Sequence, residues 1–225
     1  MHTAMILAAG RGTRLSPLTD HLPKALSPLN HIPIIEYHIH RLVKAGYQKA
    51  IINHAHLGGK IRQHLRTGRQ FGLDIIYCPE PPGGLETGGG IFNALPALGD
   101  APFLVLNADV YCELDLSTVT LAQDSLSHLL LVPKPDYRQT GDFGLEGSGL
   151  LSNEHQEYVF AGIACYHPVL FAACKPGRYS IAPLLRKWVA KKRVTGTLYQ
   201  KTWFDIGTHA QLTEAENSLK LQQRG

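Results

Sequence analysis

The sequence predicts an α/β fold: a mostly parallel central sheet with helices on both faces. Two observations lead there. Through the first 110 residues, short apolar runs alternate with longer amphipathic stretches, as successive right-handed βαβ units require. The first of those runs, 4–9 (AMILAA), is apolar throughout, as expected of a strand covered on both faces.

The elements follow in order. After the strand at 4–9 comes a glycine-rich loop. Ile35, Ile39, Leu42 and Val43 recur at helical spacing, and Gly46 closes that helix. Residues 50–52 form a second strand, Ile61 and Leu65 mark a short helix ending at Gly68, and 74–77 form a third strand. Residues 91–98 read as a helix after a glycine run, and 103–106 as a strand leading to Asn107 and Asp109. Later, 129–132 and 159–166 read as strands, 136–157 as loops with short antiparallel strands, and 181–189 as a helix. Residues 203–206 look like a late strand. Thr208 and Gln211 fit a capping box for a final helix carrying Leu212, Ala215 and Leu219 on one face. The expectation is a single domain, 1–225, read as two halves, 1–110 and 111–225.

Composition narrows the function. A net charge of +4, scattered along the chain, suits an anionic small molecule and argues against a nucleic-acid track. No basic segment followed by a long apolar run opens the chain, and no stretch approaches the roughly 20 apolar residues of a membrane helix. The four cysteines form no CxxC pair and read as reduced thiols. These features predict a cytoplasmic protein with no membrane partner.

The loop at 8–19 (AAGRGTRLSPLT) is the most informative segment. Small residues let the backbone approach a ligand, successive N–H groups make an anion nest, and Arg11 and Arg14 add charge for phosphate oxygens. It is not a Walker loop, because Gly12 precedes Thr13 and Arg14 rather than a lysine. It is not a dinucleotide fingerprint, because Leu15 stands at the third glycine. Further on, 23–29 (PKALSPL) places Lys24 on a loop stiffened by prolines, a fixed ammonium suited to clamping phosphate. By itself, that lysine reads equally as a solvated surface-loop residue.

Together with 33–37 (PIIEY), these segments resemble the signature of the sugar-1-phosphate nucleotidyltransferases, and the likeness continues through 203–208 (WFDIGT). The resemblance implies a Rossmann-like nucleotidyltransferase core with a small sugar-binding subregion, Mg²⁺ dependence, and a nucleoside triphosphate and a sugar 1-phosphate as substrates. It makes residues 1–110 a nucleotide-binding half and 111–225 a sugar-binding half carrying a second metal aspartate. It places the triphosphate on Ala8, Gly10, Arg11, Gly12, Thr13 and Arg14, with Lys24 and Glu80 completing the nucleotide site. Arg14, Lys24 and Asp109 become the catalytic residues, and Asp109 and Asp205 the metal ligands. Mg²⁺ takes one or two carboxylates plus phosphate oxygens and water, which two aspartates converging from distant strands provide. Read alone, Asp109 is also a plain strand-end turn and Asp205 a helix N-terminal carboxylate.

The sugar side is expected in 79–90 (PEPPGGLETGGG), where Glu86, Thr87 and Gly88 precede a helix whose N-terminus faces an anion, and at Asn107 and Asp142. His54 and His56 lack a third ligand in the sequence and read as surface or loop residues. Within the family, the compact chain resembles the uridylyltransferases of N-acetylmuramate 1-phosphate that serve cell-wall peptidoglycan recycling, through 52–58, 85–91, 106–109 and 141–143. A lactyl ether calls for a wide pocket tolerant of negative charge, with width supplied by the glycines at 88–90. Glucose 1-phosphate and mannose 1-phosphate enzymes are the alternatives, and a catalytically inactive nucleotide-sugar-binding regulatory module is the alternative of another class. The oligomerising C-terminal elements of larger relatives are not recognisable, which predicts a monomer.

Overall fold

The structure is a computed structural model and describes residues 3–222. β1 (Thr3–Leu7) leads into the glycine loop, a 3₁₀ turn (Thr13–Leu15) and α1 (Leu18–His21). A second 3₁₀ turn (Lys24–Leu26) precedes a ribbon of β2 (Pro28–Leu29) and β3 (Ile32–Pro33). Then come α2 (Ile34–Lys44), β4 (Lys49–His54), α3 (Gly58–Leu65), β5 (Asp74–Pro79), α4 (Glu86–Leu98), β6 (Phe103–Asn107) and β7 (Val110–Cys112). The remainder holds β8 (Ser127–Pro133), β9 (Gly144–Leu145), β10 (Leu151–Ser152), β11 (Tyr158–Tyr166), α5 (Ala182–Val189), β12 (Val194–Leu198), β13 (Trp203–Asp205) and α6 (His209–Gln222).

Seven strands form one sheet in the order β12-β8-β11-β6-β1-β4-β5. β1 pairs in parallel with β4 and β6, β4 with β5, and β8 with β12, while β11 runs antiparallel to both of its neighbours. The mostly parallel sheet expected from the sequence is therefore present. Side chains of β1 alternate between two cores. Ala4 and Ile6 pack with Ile35, Ile39 and Leu42 of α2 and with Ile61 and Leu65 of α3. Met5 belongs to the opposite core, which runs from Ile91 and Ala94 of α4 to Leu185 and Val189 of α5. Burying a Leu or Ile side chain of this kind is worth about 1.5–3 kcal/mol, so the helices are held chiefly by these faces. A third cluster, with Leu29, Ile34, Ile206, Ala215 and Leu219, fastens α6 beside the ribbon. The capping box at its start is formed: Gln211 N–H donates to Thr208 Oγ1 at 3.3 Å, and Gly207 N–H donates to Gln211 Oε1 at 3.0 Å.

Three elements differ from the sequence expectation. α4 begins at Glu86, not after the glycines, so Gly88, Gly89 and Gly90 lie inside a helix and are buried. Intrinsic propensity disfavours them there by roughly 1 kcal/mol each, but packing overrides it. A β-carbon at Gly88 would lie 2.6 Å from the Tyr179 ring, at Gly89 2.1 Å from Gly177 O, and at Gly90 2.6 Å from Glu80 Oε1. The glycines thus serve close packing and do not widen the pocket. β12 was not apparent in the sequence, because Gly196 interrupts its pattern. That glycine admits Leu151, whose Cδ2 would be 2.7 Å from a β-carbon. Finally, His54 is a buried residue of β4 rather than a surface or loop residue, its ring tilted at 59° against that of Tyr77 and lodged beneath Gly58, where a β-carbon would meet its Nδ1 at 2.0 Å.

Candidate active site

The carboxyl ends of β1, β4, β5 and β6 open into a cavity of about 780 Å³, where ligands of parallel α/β sheets bind. Gly10, Arg11, Gly12, Thr13, Glu80, Glu86, Thr87, Asn107 and Asp109 line it. Ala8 and Lys24 line a small annex of about 30 Å³ that shares Leu7, Gly10 and Asp109 with the main cavity.

The glycine loop is shaped from both sides. A β-carbon at Gly10 would meet no protein atom within 4 Å, so this position opens onto the cavity. Gly12 instead has φ 70°, and a β-carbon there would crowd Lys24 Cβ at 3.0 Å, so the loop packs on the lysine's stem. Ala8 N–H donates to Asn53 Oδ1 at 2.8 Å, and Asn53 Nδ2 donates to Glu80 Oε1 at 2.6 Å. Glu80 Oε2 in turn accepts the N–H of Leu85 at 2.7 Å. Asn53, buried near the end of β4, thereby ties the glycine loop to the loop after β5.

Lys24 is not a solvated surface lysine. Its side chain is 12% exposed, and its ammonium rests on the Asp109 carboxylate. Asp205 approaches from β13, opposite Val110 of β7, while Ile206 N–H donates to Asp109 O at 2.8 Å. Burial, and next the charge of Asp109, push the Asp205 carboxyl above the ordinary carboxylate range, against opposing influence from Lys24, Arg14 and Arg138. Two carboxylates, one from the turn between β6 and β7 and one from β13, therefore share one electrostatic site. Arg14 lies on this side, its guanidinium packed where a β-carbon on Gly207 would meet Nη2 at 2.7 Å, and does not line the main cavity.

Asp142 stands apart from the cavity. It pairs with Arg138 at 2.9 Å and accepts the N–H of Phe160 at 2.9 Å, pinning its loop to the irregular stretch of β11. Gly88 and Gly89 donate their N–H groups to Tyr179 O at 3.0 and 3.1 Å, so this helix N-terminus is already occupied.

The chain matches the sequence model of the family described as nucleotidyl transferase over residues 3–222. The chain belongs to the nucleotidyl transferase family. This transferase is 41% identical over 222 residues to the N-acetylmuramate alpha-1-phosphate uridylyltransferase of Neisseria meningitidis serogroup B, spanning 95% of this chain and 96% of that protein. It is 31% identical over 232 residues to the protein of the same description from Caulobacter vibrioides, spanning 96% of each. A crystal structure of a putative glucose-1-phosphate thymidylyltransferase from Bacillus anthracis shares its fold, with a TM-score of 0.85 at 21% identity over 96% of this chain and 94% of that one. Among the described residues, no helix of the transferase is long and apolar enough to cross a membrane.

Three polar cavity residues of this transferase, Asn53, His56 and Arg178, were not among the expected site residues. Asn53 had a legible signal, a polar residue ending an apolar strand. His56, set aside there as a surface or loop residue, contacts Thr19 O through Nε2 at 3.2 Å. Arg178 had none, because it arrives from a loop far along the chain.

Proposed function

We propose that this nucleotidyl transferase joins UTP to N-acetylmuramate 1-phosphate, giving UDP-N-acetylmuramate and pyrophosphate, as a Mg²⁺-dependent step of cytoplasmic peptidoglycan recycling. The observation that carries the chemistry is the convergence of Asp109 and Asp205 beside the glycine-loop cavity. The substrate reading rests on the full-length likeness to two relatives of that description.

The donor set fits a hard divalent cation. Burial first, and next the charge of Asp109, hold Asp205 above its usual range, while Lys24, paired with Asp109, opposes that shift. Among the described residues, no group of three or more His, Cys, Asp or Glu side chains converges, so Asp109 and Asp205 would hold the ion, with phosphate oxygens and water as its further donors. Mg²⁺, when bound, neutralises charge on the phosphate oxygens and templates the leaving group.

The residues of the chain do the rest by position. Gly10 lets a phosphate come close to the backbone. Arg11 faces the cavity as a countercharge, and Lys24 stands at the annex, where it can pass from Asp109 to a phosphate oxygen. An ionised oxygen of the sugar phosphate attacks the α-phosphorus in line as pyrophosphate leaves. The attacking group is already anionic near neutral pH, so no strong general base is needed. Catalysis consists of orientation and charge neutralisation.

A matrix of four nucleoside triphosphates against N-acetylmuramate, glucose and mannose 1-phosphates, read as kcat/KM by pyrophosphate release, tests this. The expected best pair is UTP with N-acetylmuramate 1-phosphate. A tenfold preference for glucose or mannose 1-phosphate, about 1.4 kcal/mol in transition-state binding, overturns the substrate assignment. No release with any pair favours a binding module without chemistry.

A further inference from the structure

The cavity contains a second cation remote in sequence from the phosphate loop, Arg178. Its position is fixed by backbone rather than by its own side chain. The next residue, Tyr179, receives the N–H groups of Gly88 and Gly89 on its carbonyl and donates its own N–H to Leu85 O at 3.1 Å. Ile181 N–H adds a bond to Thr87 Oγ1 at 3.1 Å. The 177–181 loop is therefore seated on the first turn of α4, and the glycines of that turn are what allow it: a β-carbon on Gly89 would strike the Gly177 carbonyl. Arg178 projects from this anchored loop onto the cavity wall built by Pro82, Gly83, Gly84 and Glu86.

There it meets one acidic partner, Glu86, with Arg178 Nε 3.3 Å from Glu86 Oε1. Glu86 sits at φ 60°, a left-handed conformation that side chains other than glycine's seldom adopt. A strained residue at a cavity, kept where glycine would be relaxed, argues that its carboxylate is wanted there. Both side chains remain half-exposed to the cavity, at 61% and 45%, so the pair is open to a ligand. A guanidinium has five N–H donors, and one carboxylate at 3.3 Å leaves most of them unused.

Building on the proposed substrate, we infer that Arg178 is the specificity-determining residue for the sugar, receiving the carboxylate of an anionic sugar substituent while Glu86 holds the guanidinium in place. A bidentate arginine–carboxylate pair reads both charge and plane, which a neutral sugar cannot satisfy. The helix N-terminus, an obvious anion site from sequence, has its Gly88 and Gly89 N–H groups capped by Tyr179. The anion-reading task passes to Arg178.

The test compares N-acetylmuramate 1-phosphate with N-acetylglucosamine 1-phosphate, which lacks only the lactyl ether, each with UTP. The readout is the ratio of the two kcat/KM values. In wild type the ratio should favour the anionic sugar. Arg178→Ala should reduce it at least tenfold, mainly through KM for the anionic sugar. Arg178→Glu should reduce it further, and Arg178→Lys should restore part of it. A wild-type preference that survives in both the Ala and Glu variants overturns the role of Arg178 and leaves the proposed substrate standing. Wild-type enzyme that turns over both sugars equally overturns the proposed substrate, and Arg178 as its reader along with it.

Discussion

Two glycines two positions apart do opposite work. At Gly10 the missing β-carbon leaves open cavity, whereas at Gly12 it leaves room for Lys24. Gly10→Ala should therefore keep its melting temperature while raising KM for UTP at least about tenfold, because the methyl stands where a phosphate must approach. Unchanged UTP kinetics in a well-folded variant would remove the loop from the nucleotide site. The aspartates separate function from stability in a similar way. Asp109→Asn and Asp205→Asn should each lower turnover by about a hundredfold or more, the scale of losing a key charge-stabilising contact. Asp205→Asn should meanwhile leave the melting temperature unchanged or higher, since burial and Asp109 already disfavour its charge. Mg²⁺-dependent activity retained in both variants, measured by pyrophosphate release, would exclude them as metal ligands. Lys24, ion-paired and largely covered, also has a structural share that a surface-loop lysine would lack.

At the scale of elements, the decisive one is α4. An alanine in place of a helical glycine usually stabilises by roughly 0.5–1 kcal/mol. At Gly89 the sign should reverse, because the new methyl overlaps the backbone carbonyl of Gly177 in the loop seated on the helix. Gly89→Ala should destabilise by about 1–3 kcal/mol, the range of overpacking, and displace the 177–181 loop with it. Urea denaturation of this variant beside wild type checks the sign; a stabilised variant would show that the loop is not seated on the helix. α6 illustrates the contrary case. Its capping box and its Leu212, Ala215 and Leu219 face were legible because both signals are local in sequence.

Over the whole molecule, buried histidines couple stability to pH. His38 of α2 is fully buried, and burial first and Arg41 next hold its imidazole down to about 3, with Asp109 and the backbone of Ala108 and Val110 opposing. His54 and His128 are pushed the same way by burial. In the unfolded chain a histidine titrates near 6.5, roughly, so above that pH neither state carries the extra proton. As pH falls from there towards 3, the unfolded chain gains a proton that folded His38 refuses, and stability drops by up to about 1.4 kcal/mol per pH unit for that group, with His54 and His128 acting in the same direction. Unfolding free energy should thus decline steadily below pH 6.5, and His38→Gln should show a shallower decline between pH 6 and 4. Equal slopes for the two proteins would mean that the His38 site does not exclude the proton.

The sequence by itself determined the alternation that builds a mostly parallel sheet, the glycine loop at the end of the first strand and the pair of candidate metal aspartates. Each of these is encoded locally, by apolar period, by glycine spacing or by an acidic residue closing a strand. Tertiary structure alone decided that Lys24 rests on Asp109, that Asn53 links two loops through Glu80, and that Asp142 spends its carboxylate on Arg138 and the Phe160 amide. It also decided that the triple glycine is a helix, and that Arg178 reaches the cavity across a seam between segments some ninety residues apart, as at Thr87 and Ile181. Such close approaches depend on which surfaces meet in space, and no period or propensity along one segment carries that information.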